Sequence, residues 1–215
     1  MRCLVIDTAG PLVGVAAWAE GRCVEAASAR VDRGADGWLG PVLQAQLRTL
    51  GRLDRVVVTV GPGAFTGLRV GVASALGLAV ALGVPVRCIS SLALRACLVP
   101  GRPRVLALLD AKQGKLYRGV YDTIGAPEPL EPESDVAPEH ALSGGPAWVV
   151  GEGAKLVFAE LNAAGHQLVD GFEQSAVSVA GPLLDGPAVP PEQVALRYLR
   201  APSIQLSGSR GPSPR

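Results

Sequence analysis

Residues that carry chemistry are scarce in this chain. Among 215 residues there are two histidines, one methionine and 4 % aromatics. His140 and His166 lie in unlike segments and form no H-x-x-x-H or H-E-x-x-H helix, so a zinc or iron site of the usual kind lacks ligands. Each reads as an exposed or packing residue. No Gly-x-Ser-x-Gly elbow presents a nucleophile. Charge is thin too: 18 % of residues are charged, the net charge is +1, and 48 % are hydrophobic. Such a balance lacks the clustered basic footprint of a protein that grips nucleic acid alone, so any nucleic-acid role is expected to be indirect. It also suggests that part of the apolar surface is covered by another protein.

Paired cysteines and membrane spans are missing as well. Cys3, Cys23, Cys88 and Cys97 form no C-x-x-C, and the first three sit in apolar strand-like runs, which reads as buried free thiols in a reducing compartment. No secretory signal pattern follows Met1. Val70–Val86 is uncharged, but it is shorter than the roughly 20 residues of a span and contains Pro85 and several glycines. It reads as a buried helix followed by a strand. The expectation is a cytoplasmic protein with no membrane attachment.

What is present is a repeated pattern. Cys3–Ile6 reads as a short strand ending at Asp7-Thr8, and Gly10-Pro11 as a turn. Val13–Ala19 and Arg22–Arg30 read as strands joined through Glu20-Gly21. Leu39, Val42, Leu43, Leu47 and Leu50 recur at helical spacing within Trp38–Leu50, with Gly51 as the stop. A strand at Arg55–Val60, a helix at Arg69–Leu82, a strand at Pro85–Ile89 and a helix at Ser90–Leu98 follow. Arg104–Asp110 then echoes Arg2–Asp7, and Leu116–Thr123 follows as Val13–Ala19 did. Helical patterns return near Pro138–Leu142 and Ala154–Ala164, around a strand at Ala147–Val150. The reading is an α/β chain built from a duplicated β-β-β-α-β-α unit, with a first lobe at 1–100 and a second at 101–200. The last helix of the second lobe could pack back on the first. Gly125–Pro138, rich in proline and acidic residues, reads as an exposed irregular connection, and the tail at 201–215 as disordered.

Gly61-Pro62-Gly63-Ala64-Phe65-Thr66-Gly67-Leu68-Arg69 follows a strand and opens a helix, where free N–H groups and the helix dipole can receive an anion. Gly61, Gly63, Thr66, Gly67 and Arg69 are the candidates for phosphate contact. The segment is neither a Walker A loop nor a dinucleotide fingerprint. A tight turn that lets helix and strand pack closely is the reading of the glycines that the chemistry favours. At 100° per residue, Leu68, Val72, Ala75, Leu76, Ala79 and Leu82 share one side of the helix, while Val70, Ala73, Ser74, Gly77, Ala81 and Val84 share the other. The first side has the bulk to pack on a sheet. The small second side suits either a helix of the same chain or another subunit. Asp7 and Asp110 each end a strand, where a carboxylate can organise metal and phosphate across a cleft or merely cap a turn.

Several of these segments resemble one family. Gly61–Gly71 is similar to the TsaB (YeaZ-type) signature G-P-G-S-F-T-G-L-R-I-G, with Ala64 in place of serine. Asp110–Tyr117 resembles the D-A-R-x-G-E-V-Y element, with Lys115 in place of its acidic residue. Leu4–Ala9, Ile89–Leu92 and Tyr198–Arg200 resemble L-A-I-D-T-A, V-S-S-L and Y-L-R, in family order. Gly34–Gly37 stands where family members carry a His-Ser or similar pair.

The resemblance implies a two-lobed actin/hexokinase-like fold, in which nucleotide lies between lobes. It implies a non-catalytic subunit that pairs with the paralogous catalytic subunit TsaD to place threonylcarbamoyl on N6 of the adenosine beside the tRNA anticodon. The ATPase TsaE joins, tRNA is met through the complex, and ATP and metal belong to the partners. Leu68–Val84 and Trp38–Leu50 are then assigned to the interface, with Val70, Ala73, Ser74, Gly77, Ala81, Leu39 and Leu43 as contacts. A lone chain could pair with its own copy. The departures at Ala64, Lys115 and Gly34–Gly37 weigh against nucleotide binding by this chain. A nucleotide-dependent kinase or ATPase of the same fold is the alternative, and a metallopeptidase a third reading.

Overall fold

The strand at the start of the chain serves two cores at once. Leu4 and Ile6 enter one apolar cluster, while Cys3 and Val5 enter another on the opposite face. Side chains alternate across a strand, so a run apolar at every position must be covered on both sides. The same logic holds at Val56 and Val58 against Val57, and in the second half at Leu106 and Leu108 against Val105, Ala107 and Leu109. The structure is a computed structural model and describes residues 1–31 and 35–200, without the side chains of Ala35 and Asp36. The expected disordered tail and Gly34 lie outside the described residues.

Among the described residues the strands form two sheets. The first holds β1 (Arg2–Asp7), β2 (Leu12–Ala19), β3 (Arg22–Arg30), β4 (Arg55–Gly61) and β5 (Val86–Ser90), in the order β3-β2-β1-β4-β5. β1 is antiparallel to β2 and parallel to β4, which is parallel to β5. The second holds β6 (Val105–Lys112), β7 (Lys115–Asp122), β8 (Glu128–Pro129), β9 (Ser134–Val136), β10 (Trp148–Val150) and β11 (Gln167–Leu168). Its order is β11-β10-β6-β7-β8, with β9 also on β7. β6 is antiparallel to β7 and parallel to β10, which is parallel to β11. The two sheets therefore share one topology, as the echo of Arg2–Asp7 in Arg104–Asp110 implies.

What differs is the covering layer. Helices α1 (Ala35–Leu50) and α2 (Phe65–Leu82) cross over on the first sheet's outer face. Their counterparts are α4 (Pro138–Ala141) and a 3₁₀ turn at Glu152–Val157. The helix expected at Ala154–Ala164 is thus a 3₁₀ turn continued by irregular turns. Gly153 explains the difference: it lies so close to β6 that a Cβ would sit 2.7 Å from the Leu109 carbonyl carbon, so the segment follows the sheet. Gly125–Pro138 carries β8 and β9 within the connection expected to be irregular.

Between the sheets lies a shared core of α3 (Ser91–Ala96), residues 176–180 and α5 (Gly181–Leu184). Trp18 anchors it, donating its indole N–H to the Val177 carbonyl at 3.0 Å. Residues 183–197 then return to the first sheet. Val189 and Val86 exchange both backbone hydrogen bonds, Arg55 and Arg87 donate to carbonyls of residues 183–187, and the Arg197 N–H donates to the Val60 carbonyl at 2.8 Å. After α5 this return is an extended strap with one 3₁₀ turn at Pro191–Gln193.

Candidate functional site

α2 begins at Phe65, inside the glycine loop, and ends at Gly83, whose φ of 65° is left-handed and whose N–H caps the Ala79 and Val80 carbonyls. Its inner side packs Leu68, Val72, Ala75 and Ala79 on the sheet. Leu82, expected on that side, is 49 % exposed, and Val80 is 70 % exposed. Ala73, Gly77 and Ala81 are exposed on the outer side, Ser74 is half-buried, and a Cβ at Gly77 would meet nothing within 4 Å. No helix of this chain covers that strip among the described residues. Among the described residues one helix, Phe65–Leu82, is long and apolar enough to cross a membrane by composition, yet it is the crossover between the paired strands β4 and β5.

Of the residues expected at the interface, two are core residues of the lone chain and a third is half-buried. Leu39 and Leu43 are buried in the core beneath α1, because their spacing turns them to the sheet. Val70 is half-buried and packs on the same core, as does Val84.

The glycine loop is used mainly by the chain's own backbone. A Cβ at Gly67 would overlap the Thr8 carbonyl oxygen, one at Gly71 the Thr8 hydroxyl, and one at Gly63 would sit 2.7 Å from the Ala9 Cβ. The Thr8 hydroxyl donates to the Gly67 carbonyl at 2.7 Å, and the Ala64 N–H to the Ala9 carbonyl at 2.7 Å. Gly61, at φ 129°, presses against the Arg197 carbonyl. Thr66 is exposed. The Arg69 guanidinium stacks over the Phe65 ring at 3.7 Å, and Phe65 meets Tyr198 at 5.2 Å between centroids.

Segments far apart in sequence converge here. Gly63–Phe65, Asp110–Gln113, Tyr117, Tyr198 and Arg200 line one cavity of about 190 Å³. Arg200 grips Asp135 of β9 through two bonds, at 2.8 and 3.0 Å, and Lys115 approaches the same carboxylate at 3.8 Å. Lys115, the departure from the family's acidic residue, thus stands beside the carboxylate that Arg200 grips. Glu133, buried nearby, accepts from Ser90 and Tyr121 and pairs with Arg197 at 2.9 Å.

Asp7 and Asp110 have unlike surroundings. Asp110 is partly exposed and pairs with Lys112 at 2.7 Å. Asp7 is buried: Arg95 meets one carboxylate oxygen at 2.6 Å, and Thr59 and the Ala9 N–H donate to the other at 2.8 and 3.1 Å. It is thus no free cleft carboxylate. Sequence reading missed both Arg95 and Glu152, whose carboxylate lies 3.8 Å from the Arg95 Nε. A signal existed: Gly151-Glu152-Gly153 leaves the end of β10 as Gly61-Pro62-Gly63 leaves the end of β4. Burial pushes the Glu152 carboxyl above its ordinary range despite Arg95. Burial opposes the Arg95 charge, but Asp7 and Glu152 outweigh it and hold the guanidinium charged.

The other candidates are quiet. His166 is buried and structural, accepting the Ala147 N–H on Nδ1 at 3.1 Å and lying 3.0 Å from the Leu142 carbonyl through Nε2, while His140 is exposed. All four cysteines are free; Cys3 and Cys97 are buried, with burial pushing them up to about 11 and about 12, while Cys23 and Cys88 are only half-buried.

A family model described as "TsaD: tRNA N6-adenosine threonylcarbamoyltransferase" matches residues 36–152. The tRNA threonylcarbamoyladenosine biosynthesis protein TsaB of Escherichia coli is 35 % identical over 148 residues, 65 % of this chain. The Bacillus subtilis protein of the same description is 36 % identical over 88 residues, 39 % of this chain. The matched stretches span 64 % and 38 % of those relatives' lengths. The solved structure of YeaZ from Pseudomonas aeruginosa superposes with a TM-score of 0.78 at 28 % identity, covering 92 % of this chain and 99 % of that one. The fold is actin/hexokinase-like.

Proposed function

This chain belongs to the TsaB (YeaZ-type) family, and on that premise we propose that it is a non-catalytic partner subunit in the synthesis of threonylcarbamoyladenosine in tRNA. Its partner is a TsaD-type catalytic subunit, joined by a TsaE-type ATPase. ATP and metal serve those subunits, tRNA is met through the complex, and the setting is the cytoplasm. The boundary between the lobes falls near residue 100, between the last residue of α3 and the first of β6.

The observation that carries this reading is the outer strip of α2, where Ala73, Gly77, Val80, Ala81 and Leu82 are exposed. Small residues let a second helix approach closely, and an apolar helix side left to water is a recurrent mark of a protein contact. Ser74 lies at the margin of the strip. Leu39 and Leu43, being core residues, act there only by supporting α1. The glycine loop supports the reading in a second way, since its glycines are explained by packing on Thr8, Ala9 and the Arg197 carbonyl.

The test is co-purification with a TsaD-type subunit from native extract, followed by calorimetry on Gly77→Leu and Ala81→Trp. Both positions face outward in the lone chain, so the monomer should fold as before. Heterodimer affinity should fall by roughly tenfold or more, the usual scale of overpacking. Undiminished affinity in both variants would sink the assignment of α2. Loss of the modification on depletion of this chain is the cellular counterpart. Turnover of ATP by the purified lone chain would instead favour a kinase or ATPase.

A further inference from the structure

An actin/hexokinase-like fold implies a nucleotide, and with it a cation, between its halves. The residues that meet there do not fit one. Asp7 ends β1 of the first half, and Glu152 follows β10 of the second. Between them lies Arg95 of α3, 5 % exposed, at 2.6 Å from Asp7 and 3.8 Å from Glu152, and it also donates to the Ser91 carbonyl at 3.2 Å. The β1–β2 turn closes on the same group, since a Cβ at Gly10 would overlap a Glu152 carboxylate oxygen and stand 3.4 Å from an Arg95 nitrogen. Glu152 is held there by Gly151 and Gly153, whose missing side chains let its backbone lie on Leu108 and Leu109. Asp110 is neutralised separately by Lys112.

We propose that Arg95 is the resident cation between the two halves. Its guanidinium stands between carboxylates of both halves, doing the bridging that a bound cation would do, and it holds the halves closed from within. Three independent contacts agree: the Asp7 pair, the Glu152 approach and the Gly10 turn against Glu152. The inference does not depend on the partner role, but it gives a physical reason for a lone chain to need no nucleotide to hold its halves together.

The charge is what matters, and that is testable. Arg95→Met leaves the buried Asp7 and the largely buried Glu152 carboxylates without compensation, which should lower the melting temperature by roughly 10 °C. Hydrogen exchange should quicken at Asp7–Gly10 and at 151–154, while α1 and α2 stay protected. The triple variant Arg95→Met/Asp7→Asn/Glu152→Gln removes every charge of the cluster, and the side-chain amide introduced by Asp7→Asn keeps an oxygen for Thr59 and Ala9. It should recover most of the loss, because a buried ion cluster can be replaced by neutral groups at little cost. A triple variant no more stable than Arg95→Met would show that Arg95 acts by packing and overturn the proposal. If Arg95→Met yields no folded protein, recovery of folded protein in the triple variant supports the proposal, and its failure overturns it. Magnesium with ATP should leave the melting temperature of the native chain unchanged. A clear rise accompanied by protection at Asp7–Gly10 would also overturn it.

Discussion

The two halves carry the same sheet topology under different roofs. The first sheet lies beneath two long helices, α1 and α2, while the second has four residues of α4 and a 3₁₀ turn in the same places. Strand order is set by the apolar runs and their pairing, and it survives the loss of crossover helices. An exposed apolar strip does not survive that loss, because it needs a helix long enough to show one side to the sheet and another to solvent. Only the first half has such a helix among the described residues.

The comparison breaks or sharpens under four measurements. The largest effect is expected from cavities beneath the two roofs. Leu39→Ala, under α1, should cost about 4 kcal/mol, and Leu161→Ala, under the irregular turns, about 2 kcal/mol, since a yielding segment collapses better onto a void. Denaturant unfolding measures both, and equal losses would contradict the idea that the second roof is softer. Next comes Gly67→Ala, where the new methyl meets the Thr8 carbonyl and should cost roughly 3 kcal/mol in thermal unfolding. Gly77→Leu, further along the same helix, should have the opposite sign: with open space around it, improved helix propensity stabilises the lone chain by about 1 kcal/mol. A destabilised Gly77→Leu monomer would mean that the strip is internal.

The smallest effect is the pH dependence carried by Glu152. Burial raises its folded pKa above the unfolded value, so the folded chain holds a proton that the unfolded chain releases. Ionised Glu152 therefore subtracts from stability above its folded pKa, and that penalty fades as pH falls through it toward the ordinary carboxylate range. Glu152→Gln should flatten this part of the curve of melting temperature against pH. An unchanged curve would assign the slope to another group.

Much of the fold was legible because strands buried on both faces leave continuous apolar runs, such as Leu4-Val5-Ile6 and Val105 to Leu109. The outer strip of α2 was legible for a related reason: a helix apolar on two sides needs two coverings. Leu39 and Leu43 misled because helical spacing marks a buried side without saying what buries it. The 3₁₀ turn at Glu152–Val157 was hidden because apolar spacing there suited a helix, while Gly153 tied the segment to β6. Arg95 and Glu152 were invisible as a pair, since nothing in a linear pattern brings residues so far apart along the chain to 3.8 Å.

By itself the sequence determined the doubled strand pattern, the family signature at Gly61–Gly71 and an excess of apolar surface, since each is written in residues adjacent along the chain. Tertiary structure alone decided which apolar side chains stay in contact with water, that Asp7 is buried against Arg95, and what fills the space between the sheets. Those outcomes depend on which groups meet once both sheets and the returning strap are in place, and charge and burial act through distance in space rather than along the chain.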